Sequence, residues 1–507
     1  MQNAHSVRGT KQLSGGSAIK ILACVVLFAF AGILECGQLA SLRDPEVWGH
    51  LRTGAWILQN KVLPDSGMYS QAQALPWRDY SWGYDVAVAL GYKLLGLRVF
   101  PALLVFFRFA LAVIAFQLAG GWRNFWPAVV LCVAAQAVLY PMGPVAGGAS
   151  VLLFGVVLLI LFETRRSPKP RLLLVLPAIF LLWANLDTGF VYGILLYLLF
   201  LAVLPLEARI GDQSPYSLIP AEAKPPLKLA VLAGGASVLA ALLNPSTIRP
   251  IVAFFADEFS PVNSELPGYA SMRFRQPQDY LLMLLAMTAF LALGLRRSRD
   301  LFQLSALAAS AALAFHAQRE GWLLALVSVA VIGDAFLRSR DAALRAPSAI
   351  GVRGQVAIGA AALAISFLFF AVFVPLRQDA LLGKIANYFP VRAADYLRSH
   401  PQPQSLFNTY RWGGFLAWYL PEYPVAIDSR RNLYPDETVL DYFRVMKGEL
   451  PYHEFPPMDR AQTLLLERNT PMGDVLRSVA GFHVIYEDDI SVVYSHDAMI
   501  SGGQPGT

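Results

Sequence analysis

Long apolar segments recur along this chain of 507 residues, and they constrain its fold more than any other feature. Each is close to the roughly 20 residues that a helix needs to cross the hydrocarbon core of a bilayer. Only 15% of the residues are charged, against about 25% in an ordinary soluble domain. The pattern excludes a soluble single-domain enzyme and predicts an α-helical polytopic membrane protein.

About eleven segments have the length and composition of transmembrane helices. They are residues 20–40, 99–119, 124–141, 146–163, 171–185, 187–206, 228–244, 280–295, 301–317, 321–337 and 355–375. No small-residue cleavage pattern follows the first segment, so we predict an uncleaved first span after a polar cytoplasmic tail, 1–19. The whole transmembrane domain is predicted to extend over residues 20–375.

Basic residues are concentrated in three of the loops between these segments. With the N-terminal tail in the cytoplasm, alternation of the spans places all three loops in the cytoplasm, as the positive-inside rule requires. The loops contain Arg165, Arg166, Lys169 and Arg171; Arg296, Arg297 and Arg299; and Arg338, Arg340, Arg345 and Arg353. The net charge of +6 is therefore a topology signal, and no nucleic-acid partner is expected. We predict a multi-pass protein of the cytoplasmic (inner) membrane.

One further apolar run, residues 82–98, would reverse this topology if it crossed the membrane. Because it carries Asp85 and Lys93 in its middle, we interpret it as an amphipathic helix at the outer membrane surface. A short true span is the alternative. The first interpretation makes residues 41–98 a large first outer loop.

The chain changes character after residue 375. Alternating apolar segments such as SLFNTY, PVAIDS, TLLLER and the pair in FHVIYEDDISVVY suggest strands, and ETVLDYFRVMKGE suggests a helix. We predict a small extracytoplasmic α/β domain over residues 376–497, followed by a disordered tail, 498–507.

Two carboxylates, Asp44 and Glu46, stand just after the first span. Asp44 followed by Pro45 is a common helix start. The alternative is functional: two acids at a membrane surface can take a proton from an acceptor hydroxyl or hold a divalent cation beside a phosphate. His50 lies on the same helical face as Glu46, and His50 and Arg52 are candidate substrate or phosphate ligands. Whether a metal, Mg²⁺ or Mn²⁺, binds is left open.

Two turns predicted on the outer side carry polar residues. Asn185 and Asp187 form a tight reversal, in which Asp187 either caps a helix or lines a site. His316 and Arg319 occupy the second turn, where Arg319 either binds a phosphate with His316 or pairs with Glu320 at the interface.

The outer loop 244–279 contains Arg273 and Arg275 beside apolar residues. These arginines suit the head group of an anionic isoprenoid lipid, or they anchor the loop to anionic phospholipid. In the C-terminal domain Trp412, Asp428 and Arg430 either face a ligand or form a strand-to-helix turn with a salt bridge.

Four stretches of the chain resemble a known group of proteins. They are DPEVWGHLRTGAWIL (44–58), WANLDTGFVYG (183–193), LLNP (242–245) and FNTYRWGGFLAWYLPEYPVAIDSRRNLY (407–434). These residues look like those of large bacterial membrane proteins related to the GT-C superfamily of polytopic glycosyltransferases. That group usually has Asp-x-Asp where this chain has Glu46, and Asn-x-His where it has Asp187.

The resemblance implies a GT-C-like fold and transfer of a sugar from a polyprenyl-phosphate donor, with inversion, to a glycan, lipid or protein acceptor at the outer face of the membrane. It also implies that Asp44 is the general base or an acceptor-site carboxylate, with Glu46 its partner. Arg319 and His316 would hold the phosphate, helped by Arg273 and Arg275; Asp187 would line the cavity; and Trp412 and Asp428 would face the acceptor.

Two other functions remain open from the sequence alone. One is a non-catalytic scaffold for polysaccharide or cell-envelope assembly, and the other is a transporter of lipid-linked substrates. A P-loop, a nucleophile elbow and an HExxH helix are all missing from the sequence, which removes ATP-driven pumps and the common hydrolase mechanisms.

Overall fold

A computed structural model describes residues 15–166, 169–211, 225–295, 300–339 and 350–497. The helices before residue 375 are α1 Gly15–Gln38, α2 Glu46–Asn60, α3 Trp82–Leu95, α4 Val99–Leu118, α5 Phe125–Val138, α6 Ala146–Arg166, α7 Leu176–Trp183, α8 Phe190–Gly211, α9 Leu227–Ala241, α10 Arg249–Glu258, α11 Pro277–Leu295, α12 Leu301–His316, α13 Gly321–Ser339 and α14 Val352–Phe373. Six helices follow: α15 Gln378–Ile385, α16 Val391–Ser399, α17 Gly413–Tyr419, α18 Asp436–Met446, α19 Pro456–Asp459 and α20 Pro471–Ser478.

The helical pattern confirms a multi-pass membrane protein. Helix is present in each of the eleven predicted segments. Within the described residues, seven helices are long and apolar enough to cross a membrane, and three shorter apolar helices lie at Pro170–Trp183, Leu227–Ala241 and Leu301–His316. The number of spans, eleven, and the side of the membrane that each loop faces stay predictions.

The run predicted as a surface helix is α3, which continues into α4 through a sharp turn. Gly96 has φ 59° at this turn, a conformation that glycine adopts without the strain of a Cβ. A Cβ on Gly91 would overlap the Val99 side chain. In a straight helix these two residues, eight positions apart, would be separated by about 12 Å. Helix α3 therefore folds back from α4 and packs on α2, and its position at the membrane surface stays a prediction.

A buried ionic network joins four helices at one end of the bundle. Arg165, at the end of α6, pairs with Glu207 of α8 at 2.8 Å and with Asp300 before α12 at 3.0 Å. The adjacent Arg166 pairs with Asp334 of α13 at 2.9 Å. Buried charges need such partners because desolvation of an unpaired ion is costly. Two of the predicted cytoplasmic arginines are thus structural.

The polar turns predicted on the outer side share the opposite end of the bundle. There, Tyr84 donates to the Pro144 carbonyl, Ser150 donates to Asp187, and the Gln318 N–H donates to the Ala270 carbonyl. The basic residues Arg296, Arg297, Arg299, Arg340 and Arg345, the first 14 residues of the tail 1–19 and the tail 498–507 lie outside the described residues.

The C-terminal region contains the predicted small sheet. Its strands are β1 Leu406–Asn408, β2 Thr463–Glu467, β3 Phe482–Glu487 and β4 Ser491–His496, in the order β1-β2-β4-β3. β1 and β2 are parallel, whereas β4 is antiparallel to both β2 and β3. Three of the predicted strand segments are thus confirmed, and the predicted helix is α18.

The segment PVAIDS, predicted as a strand, does not form one, and that prediction is wrong. The Asn408 side chain takes its backbone groups: it accepts from the Ala426 N–H at 2.8 Å and donates to the Ile427 carbonyl at 2.8 Å. The Gln71 N–H binds the Val425 carbonyl at 2.9 Å. The backbone groups of this segment are thus bound by the buried Asn408 amide and by Gln71 of the 41–98 region, and no neighbouring strand binds them as the alternating pattern suggested.

The C-terminal region packs on the 41–98 region through several long-range hydrogen bonds. Gln71 donates to the Leu406 carbonyl at 2.6 Å, and the Trp77 indole donates to the Arg431 carbonyl at 3.1 Å. Arg430 donates to the Met68 carbonyl at 3.0 Å. These bonds place the segment 428–434 beside the 41–98 region.

Candidate functional site

The start of α2 positions the acid pair. A short 3₁₀ helix, Ala40–Arg43, ends at Asp44, whose Oδ1 accepts the Glu46 N–H at 3.0 Å. Its other oxygen lies so close to Gly143 that a Cβ there would overlap it. Asp44 thus serves as the predicted helix-start residue and is held in place by the loop between α5 and α6. Glu46, the first residue of α2, is exposed.

The two carboxylates share a partly desolvated recess at this end of the bundle. Solvent reaches Glu46, but protein encloses the recess, and the loss of bulk hydration raises the pKa of Glu46, with Asp44 raising it further. His50 and Arg319 oppose this shift, and Asp187 adds to it. Burial likewise raises the pKa of Asp44. In its ionised form a carboxylate with a raised pKa is a stronger base, and it takes up a proton most effectively at a pH near that pKa, which suits a general base.

Arg319 faces this recess from the turn between α12 and α13. Its guanidinium pairs with Glu320 at 2.7 Å and with Glu258 at 3.0 Å. It also lies 3.8 Å from the centre of the Tyr269 ring. The ion pair with Glu320 that the sequence offered as one interpretation is therefore present. Glu258, at the end of α10, is a second partner that the sequence analysis missed.

Arg431 is a further missed residue at this place. It lies 4.9 Å from the centre of the same Tyr269 ring and pairs with Asp257 at 3.4 Å. Its Nη2 donates to Asn263 at 3.0 Å. Arg431 follows directly after Arg430, which the sequence analysis selected as a candidate. The sequence does not distinguish these two arginines, and only the fold shows that Arg431 lies at Tyr269. Nothing in the sequence indicated Tyr269 itself.

The turn after α7 is built by its own hydrogen bonds. Asp187 accepts from the Gly189 N–H at 3.0 Å and from the Ser150 hydroxyl. Asn185 accepts from the Trp82 indole at 3.0 Å, and its carbonyl accepts the Gly83 N–H. Asp187 therefore caps the turn while remaining close enough to act on Glu46, whereas Asn185 ties α3 to the bundle.

Several predicted site residues do not join this cluster. His316, Arg273 and Arg275 are exposed, and among the described residues no hydrogen bond or ion pair links their side chains to the acid pair. Arg52 lies over the Tyr69 ring at 5.2 Å, and its buried Nε has no hydrogen-bond partner within the part of the chain that the structure describes.

The predicted residues of the C-terminal region have structural contacts. Trp412 is only 1% exposed, and its indole donates to the Tyr388 carbonyl at 3.1 Å. Asp428 is buried against Arg430 at 2.8 Å. Arg430 stacks on Tyr69 and Trp77. The structure thus contains the salt bridge between Asp428 and Arg430, and it buries Trp412 in the core. A role of these three residues at a ligand stays a prediction.

The described residues contain no group of three or more His, Cys, Asp or Glu side chains placed to hold a metal ion. Asp44 and Glu46 supply only two carboxylates, and one oxygen of Asp44 is already used by the helix backbone. The protein therefore presents no dedicated metal cage in this part of the chain.

The fold is similar to that of known membrane transferases. The archaeal oligosaccharyltransferase AglB from Archaeoglobus fulgidus, solved with an inhibitory peptide and a dolichol-phosphate, matches with a TM-score of 0.52 at 10% identity, over 90% of this chain and 70% of AglB. ArnT from Cupriavidus metallidurans, solved with undecaprenyl phosphate, matches with a TM-score of 0.44 at 13% identity, over 97% of this chain and 100% of ArnT. No family model and no curated protein sequence matches the chain. The predicted GT-C-like fold is confirmed.

Proposed function

We propose that this protein is a membrane glycosyltransferase that moves a sugar from a polyprenyl-phosphate-linked donor to a glycan, lipid or protein acceptor at the outer face of the cytoplasmic membrane. The observation that carries the proposal is the acid pair Asp44 and Glu46 in one recess with Arg319. The GT-C-like fold supports it, and the dolichol-phosphate bound to AglB supports a polyprenyl-phosphate donor.

The acid pair would activate the acceptor. An acceptor hydroxyl has to lose its proton as its oxygen bonds to the anomeric carbon of the donor sugar. Asp44 is fixed by the Glu46 N–H and by Gly143, and its raised pKa suits a group that takes up this proton. The bond between the anomeric carbon and the phosphate oxygen breaks, and polyprenyl phosphate leaves with the negative charge.

Arg319 is the group best placed to receive that charge. A guanidinium has five N–H donors. The Nη2 of Arg319 donates to Glu258 at 3.0 Å, whereas its buried Nε lies 2.7 Å from a Glu320 oxygen without a hydrogen bond to any described residue. In this proposal the N–H groups that Glu258 does not use donate to a phosphate oxygen. Charge-assisted hydrogen bonds of this kind stabilise a departing phosphate.

Transfer of labelled sugar from a panel of polyprenyl-phosphate donors tests the proposal. We expect wild-type protein to transfer sugar and Asp44→Asn to lower turnover by about 10²- to 10⁴-fold, the usual contribution of a general base. Asp65→Asn is the matched control, because Asp65 is an exposed acid of the same region. It should transfer at the wild-type rate, and all three proteins should melt at similar temperatures.

Three other outcomes would contradict the proposed function or the role of Asp44. Equal transfer by wild type and Asp44→Asn would remove Asp44 from the mechanism. Absence of transfer across a broad panel of donors would reject the glycosyltransferase and favour the scaffold. Movement of a labelled lipid-linked sugar between the two leaflets of a vesicle, without transfer, would instead identify a transporter.

A further inference from the structure

A histidine and a buried carboxylate meet beside the acid pair. The Nδ1 atom of His50, on α2, lies 2.6 Å from an Asp85 oxygen on α3. The Asp85 side chain is only 3% exposed, whereas that of His50 is 18% exposed. Burial raises the pKa of Asp85. In its ionised form the Asp85 carboxylate only accepts hydrogen bonds, so Nδ1 of His50 is then the donor of this contact and Nε2 is the free nitrogen of the ring.

The packing of α2 on α3 makes this contact possible. Gly54 lies one turn after His50, and a Cβ at this position would overlap the main-chain carbonyl of Asp85. Only a glycine lets the two backbones approach so closely. The Tyr84 ring packs edge-on against the His50 ring at 5.0 Å. The imidazole is therefore held by a carboxylate on one side and an aromatic ring on another.

His50 also shares a helical face with the acid pair. It lies four residues after Glu46 on α2, a spacing that places the two side chains next to each other. A positive charge on the imidazole lowers the pKa of both Glu46 and Asp44. Asp79 lies behind Asp85, and burial together with the Asp85 charge raises the pKa of Asp79 well above its ordinary value. His50, Asp85 and Asp79 thus form a row of ionisable side chains that extends from the acid pair into the protein.

We propose that Asp85 is a positioning residue that fixes His50 with Nε2 toward the acid pair, and that His50 receives the proton which the pair takes from the acceptor. The inference rests on the proposed function for its chemical step. The acceptor O–H gives its proton to the Asp44 and Glu46 pair as the glycosidic bond forms and the bond to phosphate breaks. The proton then moves to Nε2 of His50, and Asp85 stabilises the imidazolium until water removes it.

The first arm of the test is spectroscopic and needs no activity. The full chain, labelled with ¹⁵N-histidine in lipid nanodiscs, reports the protonation of each ring nitrogen, and His50→Gln assigns the signal. We expect neutral His50 to carry its proton on Nδ1 and Asp85→Asn to abolish this preference. Glu46→Gln should shift the Nε2 signal. Asp497→Asn is the control, because Asp497 pairs with His483 at 3.0 Å on the surface and should leave His50 unchanged.

The second arm is kinetic. Asp85→Asn and His50→Gln should each lower kcat about 10- to 100-fold, the usual effect of removing a residue that orients a functional histidine, with KM unchanged. The double variant should be no slower than the slower single variant, because residues that act as one unit are not additive. Asp85→Glu, which keeps the carboxylate, should recover part of the lost kcat and serves if Asp85→Asn does not fold.

The two arms separate the two ideas. No transfer by wild type rejects the proposed function, while the ¹⁵N signals still decide whether Asp85 and Glu46 govern His50. A His50 signal insensitive to Asp85→Asn overturns the positioning role. A signal insensitive to Glu46→Gln, or kcat effects of the two single variants that multiply in the double variant, overturns the link between His50 and the acid pair.

Discussion

Replacement of Gly54 by alanine tests whether the close contact of α2 and α3 builds the recess. An added Cβ would lie 1.9 Å from the main-chain oxygen of Asp85, and the two backbones would have to separate by about 1.5 Å to reach the 3.4 Å at which ordinary contacts begin. Overpacking of this kind costs about 1 to 3 kcal/mol, whereas alanine in place of a helical glycine gains only about 0.5 to 1 kcal/mol. Gly54→Ala should therefore be destabilising.

The matched control lies on the same helix. A Cβ on Gly49 would meet no atom within 4 Å, so Gly49→Ala should keep the helix gain without the clash. Thermal unfolding in one detergent, followed by tryptophan fluorescence, should rank Gly54→Ala below wild type and Gly49→Ala level with it or above. A melting temperature for Gly54→Ala at or above the wild-type value would refute the reasoning. The distance between His50 and Asp85 would then not depend on this glycine.

Three further predictions concern charges. Arg165→Met leaves buried carboxylates without a counter-charge and should destabilise the protein by about 3 to 5 kcal/mol, measured as a lower melting temperature. Arg319→Gln removes a group that lowers the pKa of Glu46, so the acidic limb of the kcat/KM profile should move to higher pH; an unchanged limb would contradict this. Burial raises the pKa of Asp79 in the folded protein. As the pH rises above the ordinary pKa of an aspartate, the unfolded chain loses this proton first, so the stability of the fold decreases progressively. Asp79→Asn should therefore raise the melting temperature more at pH 8 than at pH 5, and an equal change at both would argue against a buried acid.

The sequence was sufficient to predict the helices, and it also placed the acid pair in one polar segment. Apolar length predicted helix in the right places because membrane helices satisfy their own backbone hydrogen bonds and therefore depend mainly on local composition. The acid pair was visible because Asp44 and Glu46 lie two residues apart in one polar segment. The strand predicted at PVAIDS failed because its backbone partners, Asn408 and Gln71, come from distant places that alternation does not encode.

The partners of the site residues could not be read from the sequence for the same reason. Arg319 meets Glu258 across 61 positions, and His50 meets Asp85 across 35. Asp85 was interpreted only as a charge in an amphipathic helix. Trp412 looked like a ligand-facing residue because it stands in a polar, glycine-containing turn, yet its side chain is buried in the core.

The hydrogen bonds between the 41–98 region and the segment 428–434 bear on how the protein is made. Residues at the beginning of the chain, such as Met68 and Trp77, bind Arg430 and Arg431, which are synthesised more than 350 positions later. Contacts between such distant positions form late because closing a long loop costs entropy first. Helices can assemble during synthesis, but these contacts wait for residues 430 and 431. A product that ends before residue 430 would thus contain the acid pair without the hydrogen bonds from Arg430 to Met68 and from Trp77 to Arg431.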